Sequence, residues 1–294
     1  MKLAVIIVSY NTKPYLQKCL ETLKKSDFPQ KELATVVVDN ASTDDTVVEL
    51  KSKFKDVVWV ELDENTGFSR ANNVGIKEVK DADYYLFLNP DTQVLANTLT
   101  KLVKYMENNK EVGVVSPYVQ LLDGSIDDAC HRGFPTPWNA LCHFSGLAKL
   151  FSNSLLFNGY HLGYRDLLDV HQIDSCAGAA MLVRREIGEE IGWWDEDYFW
   201  YGEDLDFCYR VKQVGSRVMF YPEVKILHHK GVSGGIKKHS KQRSSADEKT
   251  RRLAQGARFD AMLIFYNKHY VDRKYPKLVT LVVTAFIRFI KLIT

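Results

Sequence analysis

Cysteine is scarce in this chain. Its 294 residues include five: Cys19, Cys130, Cys142, Cys176 and Cys208. The number is odd and no two form a Cys-x-x-Cys pair. That argues against both a disulfide framework and a zinc site, and for buried, reduced thiols in a cytosolic protein. Charge of one sign is also lacking, since the net charge is +2. A chain so nearly neutral does not call for a nucleic-acid partner. Long apolar runs are missing too. The run Leu3–Val8 is too short for a leader core, has no cleavage pattern after it, and reads as a first strand. No internal repeat is visible.

What is present is enough apolar residue, 46% of the chain, to bury a sizeable core. The charge is unevenly spread. Residues 225 to 258 hold ten Lys/Arg against Asp247 and Glu248, a local +8 that leaves about −6 for the remainder. The first half alternates strand and helix patterns. Strands are expected at Leu3–Val8, Ala34–Val38, Val57–Leu62 and Tyr84–Leu88, with helices opening at Thr12-Pro14, after Asp44 and within Thr66–Val79. That alternation predicts right-handed βαβ units and an α/β fold with a mainly parallel, Rossmann-like sheet flanked by helices. A helix at Leu95–Met106 and a strand near Gly113–Ser116 follow. Tyr118–Val170 is irregular and rich in Gly, Pro, His and aromatics. Order returns with a strand at Ala177–Val183, a helix at Glu203–Val214, a strand at Arg217–Phe220 and a helix at Phe259–Tyr270. Ser233–Lys249 reads as a mobile loop, and the basic stretch Lys230–Arg252 as one that could close over a phosphate-bearing ligand, contact a phosphate-bearing partner molecule, or remain a solvated surface loop.

The chemistry gathers where strands end. The run Tyr84–Leu88 leads into Asn89-Pro90-Asp91. Ligands in open α/β sheets bind beyond the carboxyl ends of the strands, so Asp91 is delivered to such a site. Val8-Ser9-Tyr10-Asn11 ends the first strand and Asp39-Asn40-Ala41-Ser42 the second. The loop from Asn65 to Gly75 follows the third. Trp200-Tyr201-Gly202-Glu203-Asp204-Leu205-Asp206 opens a later helix. Taken in order, these motifs resemble the family 2 glycosyltransferases of the GT-A fold, and within them the rhamnosyltransferase-like members that carry Asn-Pro-Asp. The resemblance covers about Lys2 to about Tyr270.

The resemblance implies an inverting, metal-dependent glycosyltransferase in surface polysaccharide assembly. The implied donor is a nucleotide sugar, dTDP-rhamnose or a UDP-sugar, and the implied acceptor a glycan or lipid-linked hydroxyl. The donor set would be Ser9, Tyr10, Asn11, Asp39, Asn65, Gly67, Asn73, Asn89 and Asp91. Asp39 can accept hydrogen bonds from base or ribose, or cap the next helix. Gly67, lacking Cβ, would let the loop approach the nucleotide. Arg70 stands slightly before the place where the family often has an arginine. Asp91 would hold Mg²⁺ or Mn²⁺, with His228 or His229 as a second ligand. Asp204 would be the general base, beside Glu203. Trp200 and Tyr201 would meet the acceptor sugar, together with Asp206.

Two halves are expected within residues 1–270: a nucleotide-binding half, 1–116, and an acceptor-binding half, 117–270. Residues 271–294 would form an amphipathic C-terminal helix. Lys277, Thr280, Thr284, Arg288 and Lys291 make one narrow polar stripe there. The stretch is too short and too charged to span a bilayer, and fits a helix lying on the inner face of the cell membrane. Packing on the core or on a second copy in a homodimer is the alternative. Two other functions compete: a sugar-1-phosphate nucleotidyltransferase and a non-catalytic nucleotide-sugar-binding protein. The first lacks its Gly-rich phosphate loop, since Ser9-Tyr10-Asn11-Thr12 stands there. The retained Asp91 and Asp204 argue against the second.

Overall fold

The computed structural model describes residues 1–230, 248–271 and 275–293. Most of the basic lid segment expected at Lys230–Arg252 therefore lies outside the described residues. Strands β1 (Leu3–Ser9), β2 (Leu33–Asp39), β3 (Val58–Glu61) and β4 (Tyr84–Leu88) alternate with helices α1 (Lys13–Lys24), α2 (Thr46–Lys53) and α3 (Phe68–Glu78). These four strands run parallel in the order β3-β2-β1-β4. Strand β1 is buried along nearly its whole length, as an inner parallel strand covered on both faces must be. Helix α1 buries Leu16, Cys19, Leu20 and Leu23 against the sheet, on the spacing of one helical face.

The second half changes direction. Strand β5 (Thr92–Val94) and helix α4 (Thr98–Asn108) lead to β6 (Val112–Leu121). After the short helices α5 (Pro137–Phe144) and α6 (Leu147–Leu150) come β7 (His171–Gln172), β8 (Ala180–Arg184) and helix α7 (Arg185–Ile191). Then follow α8 (Glu203–Gln213), β9 (Arg217–His228), α9 (Glu248–His269) and α10 (Lys277–Ile293). Strand β8 inserts antiparallel between β4 and β6. The sheet is thus mainly parallel near its N-terminal edge and mixed beyond β4. Strand β9 runs parallel to β6, carries β5 and β7 antiparallel, and outlasts the expected Phe220 end. Pro222 does not stop it, because the register shift between Pro117 and Tyr118 absorbs the irregularity.

One continuous core spans both halves. Trp194, Phe87 and Phe207 meet edge-on or tilted within it. A second cluster joins Tyr198 and Tyr209 to Phe265, Tyr266 and Tyr270 of the α9 end. That cluster seats α9 on α8, beside the cleft at the strand ends.

Candidate active site

The ends of β1, β4 and β9 and the start of α8 face one open cleft of about 1180 Å³. Tyr10, Asn65, Gly67, Asn89, Asp91, Trp200, Tyr201, Glu203, Asp204 and His228, ten of the residues singled out by sequence, line it.

Beyond β1, β2 and β3, short loops are tied to one another. Asn11 adopts a left-handed backbone (φ 52°). Its N–H donates to Ser42 Oγ at 2.9 Å and its Oδ1 accepts from the Thr43 N–H at 2.7 Å. Ser9 is buried and shares a 3.0 Å hydrogen bond with Thr12. Both residues therefore shape the loop from beneath. Asp39 Oδ2 accepts from the Ser42 N–H at 2.8 Å, while its buried Oδ1 has no protein partner. Burial raises its carboxyl above the ordinary range. Asn40, which the motif reading passed over, donates to Asn65 Oδ1 and the Gly67 carbonyl and accepts from the Thr66 N–H. It clamps the loop after β3 onto the loop after β2.

Gly67 has a reason other than nucleotide approach. Its φ is +84°, and a Cβ there would lie 2.5 Å from the Phe199 carbonyl oxygen. That oxygen accepts from the Phe68 N–H at 3.1 Å. Gly67 thus lets the α3 start dock on the segment that carries Trp200 and Tyr201. These two rings stack with centroids 5.8 Å apart and planes 13° apart.

Asn89 faces the cleft, and its backbone N–H donates to the Ala179 carbonyl at 3.0 Å. Asp91 is buried, with Oδ1 3.2 Å from His228 Nε2. His228 Nδ1 lies 3.0 Å from Asp127 Oδ2, and Lys230 pairs with Asp127 Oδ1. Burial opposes charge on His228, but Asp91 and Asp127 outweigh it and push its pKa up to about 9. Burial likewise opposes ionisation of Asp127, yet His228 and Lys230 hold it well below the usual carboxylate range. Of the two candidate histidines only His228 enters the cleft. His229 lies at 2.8 Å from the Gln93 amide and edge-on to Tyr15.

Could Asp91 and His228 hold a divalent cation? Cis ligands on arms of about 2.1 Å stand roughly 3 Å apart. The observed 3.2 Å separation of Oδ1 and Nε2 fits. No group of three or more His, Cys, Asp or Glu suited to a metal occurs among the described residues. Mg²⁺ is commonly held by one or two protein carboxylates with phosphate oxygens and waters completing the shell; His228 Nε2 would have to give up its proton to join Asp91 as a ligand.

Across the cleft, Asp204 Oδ2 accepts from Arg132 Nη2 at 2.7 Å, and Oδ1 accepts from the Leu205 N–H at 2.7 Å. Glu203 beside it is buried and its Oε2 has no partner. Burial first, and the neighbouring Asp204 second, push the Glu203 carboxyl up to about 8. One acid is therefore paired with a guanidinium, while its neighbour is held toward the protonated form.

A family model described as glycosyl transferase family 2 matches residues 4–192. The chain belongs to glycosyl transferase family 2. As a family 2 transferase it is 28% identical to rhamnosyltransferase WbbL of Escherichia coli over 233 residues, which is 76% of this chain and 82% of that protein. It is 25% identical over 246 residues to the N-acetylglucosaminyl-diphospho-decaprenol L-rhamnosyltransferase of Mycobacterium tuberculosis, covering 79% of this chain and 78% of that one. Its fold is shared with the mannosyltransferase PcManGT of Pyrobaculum calidifontis, solved with GDP-Man and Mn²⁺: TM-score 0.60, 19% identity, 94% of this chain and 66% of the other. The GT-A expectation holds.

Of the residues expected at the transferase site, Ser9, Asn11 and Asp39 are not among those lining the cleft, and Asn73 and Asp206 lie elsewhere. Asn73 exchanges hydrogen bonds with the Trp194 backbone and donates to Glu196, so it pins the Trp193-Trp194 turn instead of reaching the cleft. Arg70 pairs with Glu196 on the same outer surface. Asp206 is fully buried, bound by Arg210 and His269 and approached by the Tyr198 hydroxyl. It joins α8 to α9 and has no face toward an acceptor. On a helix, positions 204 and 206 lie roughly 200° apart, and here the 206 side packs inward. Arg132 and Asp127 escaped the sequence reading. Both sit in the irregular stretch, where no periodicity or motif singles out one residue.

Proposed function

We propose that this family 2 transferase moves rhamnose or a hexose, with inversion, from a nucleoside-diphosphate sugar to a hydroxyl of a glycan or lipid-linked acceptor. The observation that carries this reading is the pairing of two chemistries in one cleft: Asp91 with His228 on one wall, Asp204 with Arg132 on the other. The rhamnosyl- and hexosyltransferase names of the relatives support the sugar class. Asp39 offers its unpartnered buried Oδ1 to an N–H or O–H of the base or ribose. Asn89 and Asn65, which line the cleft, would flank the ribose and diphosphate. Asp91 and His228 would hold the divalent cation, which when bound neutralises charge growing on the departing diphosphate. Asp204 takes the proton from the acceptor hydroxyl as it attacks, and Arg132 fixes that carboxylate in place. A single attack from the face opposite the leaving group inverts the anomeric carbon. Trp200 and Tyr201 offer a ring face to the acceptor sugar.

The five buried, unbridged cysteines support a reducing compartment. Among the described residues no helix is long and apolar enough to cross a membrane. The apolar α10 supports a peripheral position at the inner membrane face.

Labelled dTDP-rhamnose and UDP-hexoses test the reading, each scored for slow hydrolysis and for transfer. The parent should turn over one donor, lose turnover in EDTA and regain it with Mn²⁺ or Mg²⁺. Asp204→Asn should still bind donor but lower kcat by roughly 10²–10⁴. Unchanged turnover after exhaustive chelation would sink the metal assignment. Turnover by the Asp204→Asn variant within a few-fold of the parent would sink the base.

A further inference from the structure

Asp127 is an acid that the transfer chemistry leaves without a task. It borders the cleft yet is only 1% exposed. A carboxylate is seldom buried so fully unless it is paired. Its two oxygens are divided between different partners. Oδ1 accepts from the Ala129 N–H at 3.1 Å, which caps the short turn Asp128–Cys130, and it also pairs with Lys230. Oδ2 lies 3.0 Å from His228 Nδ1. The backbone is fixed as well, because the Asp127 N–H donates to the Val119 carbonyl of β6 at 2.8 Å. Pairing of β6 with β9 sets Leu121 opposite His228, and so brings the 127 turn beside the end of β9. Turn capping and charge pairing account for Oδ1. They leave Oδ2, which is committed to the imidazole.

The imidazole stands between two carboxylates. Its Nδ1 faces Asp127, and its Nε2 lies 3.2 Å from Asp91 Oδ1. An ionised carboxylate only accepts, so Nδ1 must be the nitrogen that keeps its hydrogen. Nε2 is then the one left for a cation, whose arrival takes the place of the proton there. A carboxylate behind a histidine ligand selects the tautomer and fixes the ring in this way. We propose that Asp127 is the positioning residue for His228, holding Nδ1–H so that Nε2 joins Asp91 on the divalent cation. The inference rests on the metal reading given above and adds to it the residue that prepares one ligand.

The test titrates Mn²⁺ into the full chain with UDP and with dTDP, followed by calorimetry. Its readout is the Mn²⁺ concentration at which nucleotide affinity is half-enhanced. Asp127→Asn nearly preserves the side-chain size. Its Oδ1 can serve Ala129 and Lys230 only by turning the NH₂ toward His228 Nδ1, which favours the tautomer with its proton on Nε2. The Mn²⁺ midpoint should rise about 10–100-fold, while nucleotide affinity in EDTA stays at the parent value. A purely structural role for Asp127 would instead lower both affinities together. Asp127→Ala, checked for folding by circular dichroism, should raise the midpoint too, and replaces the amide variant if that one misfolds. Pulsed electron paramagnetic resonance gives a second readout. Bound Mn²⁺ in the parent should show coupling to an imidazole nitrogen, lost in His228→Ala and weakened in Asp127→Asn. An unchanged midpoint in the Asp127 variants overturns the proposal. So does bound Mn²⁺ without nitrogen coupling in the parent, which removes His228 as a ligand and leaves Asp91 in place. A parent whose nucleotide affinity ignores Mn²⁺ removes the metal reading itself, and the proposal with it.

Discussion

Two adjacent carboxyl groups, Glu203 and Asp204, have opposite surroundings. Asp204 faces Arg132 at 2.7 Å and the cleft. Glu203 is buried, with one oxygen unpartnered, although it too lines the cleft. Environments that push neighbouring acids apart separate their roles. The Glu203 carboxyl, normally near 4.5, is pushed up to about 8 by burial and by Asp204. Between those values the unfolded chain has lost this proton and the folded chain has kept it. Stability therefore falls as pH rises through the window, by about 1 kcal/mol per pH unit from this group. Glu203→Gln should flatten that slope and raise stability most near pH 8. Urea denaturation at pH 5.5 and 7.5 measures it. A parent and variant with the same pH dependence would show Glu203 to be ionised and solvated. Arg132 bears on the same point, since removing it would leave Asp204 without its charge partner in a largely buried site.

At the scale of elements, the cleft is built by loops that lean on one another. The start of α3 presses on the Phe199–Tyr201 segment through Gly67, and Asn73 on the next turn of α3 holds the Trp194 backbone. Trp200 and Tyr201, proposed to meet the acceptor, are thus positioned by α3. Gly67→Ala meets both an unfavourable φ and the Phe199 carbonyl at 2.5 Å. It should cost roughly 1–3 kcal/mol of stability. Chemical denaturation gives the first number. Steady-state kinetics should show acceptor KM rising more than nucleotide affinity falls, because the displaced residues are Trp200 and Tyr201. Wild-type stability and kinetics in the alanine variant would remove this account of the glycine. Helix α8 is fixed in the same manner: Asp206, buried between Arg210 and His269, locks it to α9.

Across the whole molecule, α10 is the element on which the proposed membrane contact depends. Helix α10 rests on α9 through Val283 and half-buries Thr280 and Thr284, so the polar stripe points partly inward. Periodicity alone places that stripe in solvent. The consequence is that apolar side chains line the cleft on one flank and stand exposed on the other. Lys291 pairs with Asp260 and Arg288 is exposed. Full-length protein should sediment with anionic vesicles at low salt and less so at high salt, since each basic residue near the surface contributes about 1 kcal/mol that salt screens. Deleting residues 277–294 should release it while donor hydrolysis persists. Light scattering on both forms separates lipid binding from dimerisation, for which truncation would change the mass and vesicles would make no difference. A full-length chain that stays in the supernatant would end the membrane reading.

Local pattern was sufficient for the first half of this protein. Buried parallel strands need unbroken apolar runs, and the acids that follow them fall at the strand ends whatever the rest of the chain does. Tyr84–Leu88 followed by Asp91 was legible for that reason, and Glu203-Asp204 at a helix start from its motif. What periodicity could not decide is which face of a helix turns inward when several are available. Asp206 and Asp204 carry the same chemistry, yet packing against α9 buries one and opens the other. Asn73 and Asn40 are equally polar residues, and only the docking of α3 sends Asn73 to Trp194 and leaves Asn40 as the clamp beside the cleft. Arg132 and Asp127 lie in a stretch with no regular repeat, and their partners stand 72 and 101 residues away. Contacts at such separation are made by the folded sheet bringing β8, β9 and α8 together, and no local pattern in the chain encodes them.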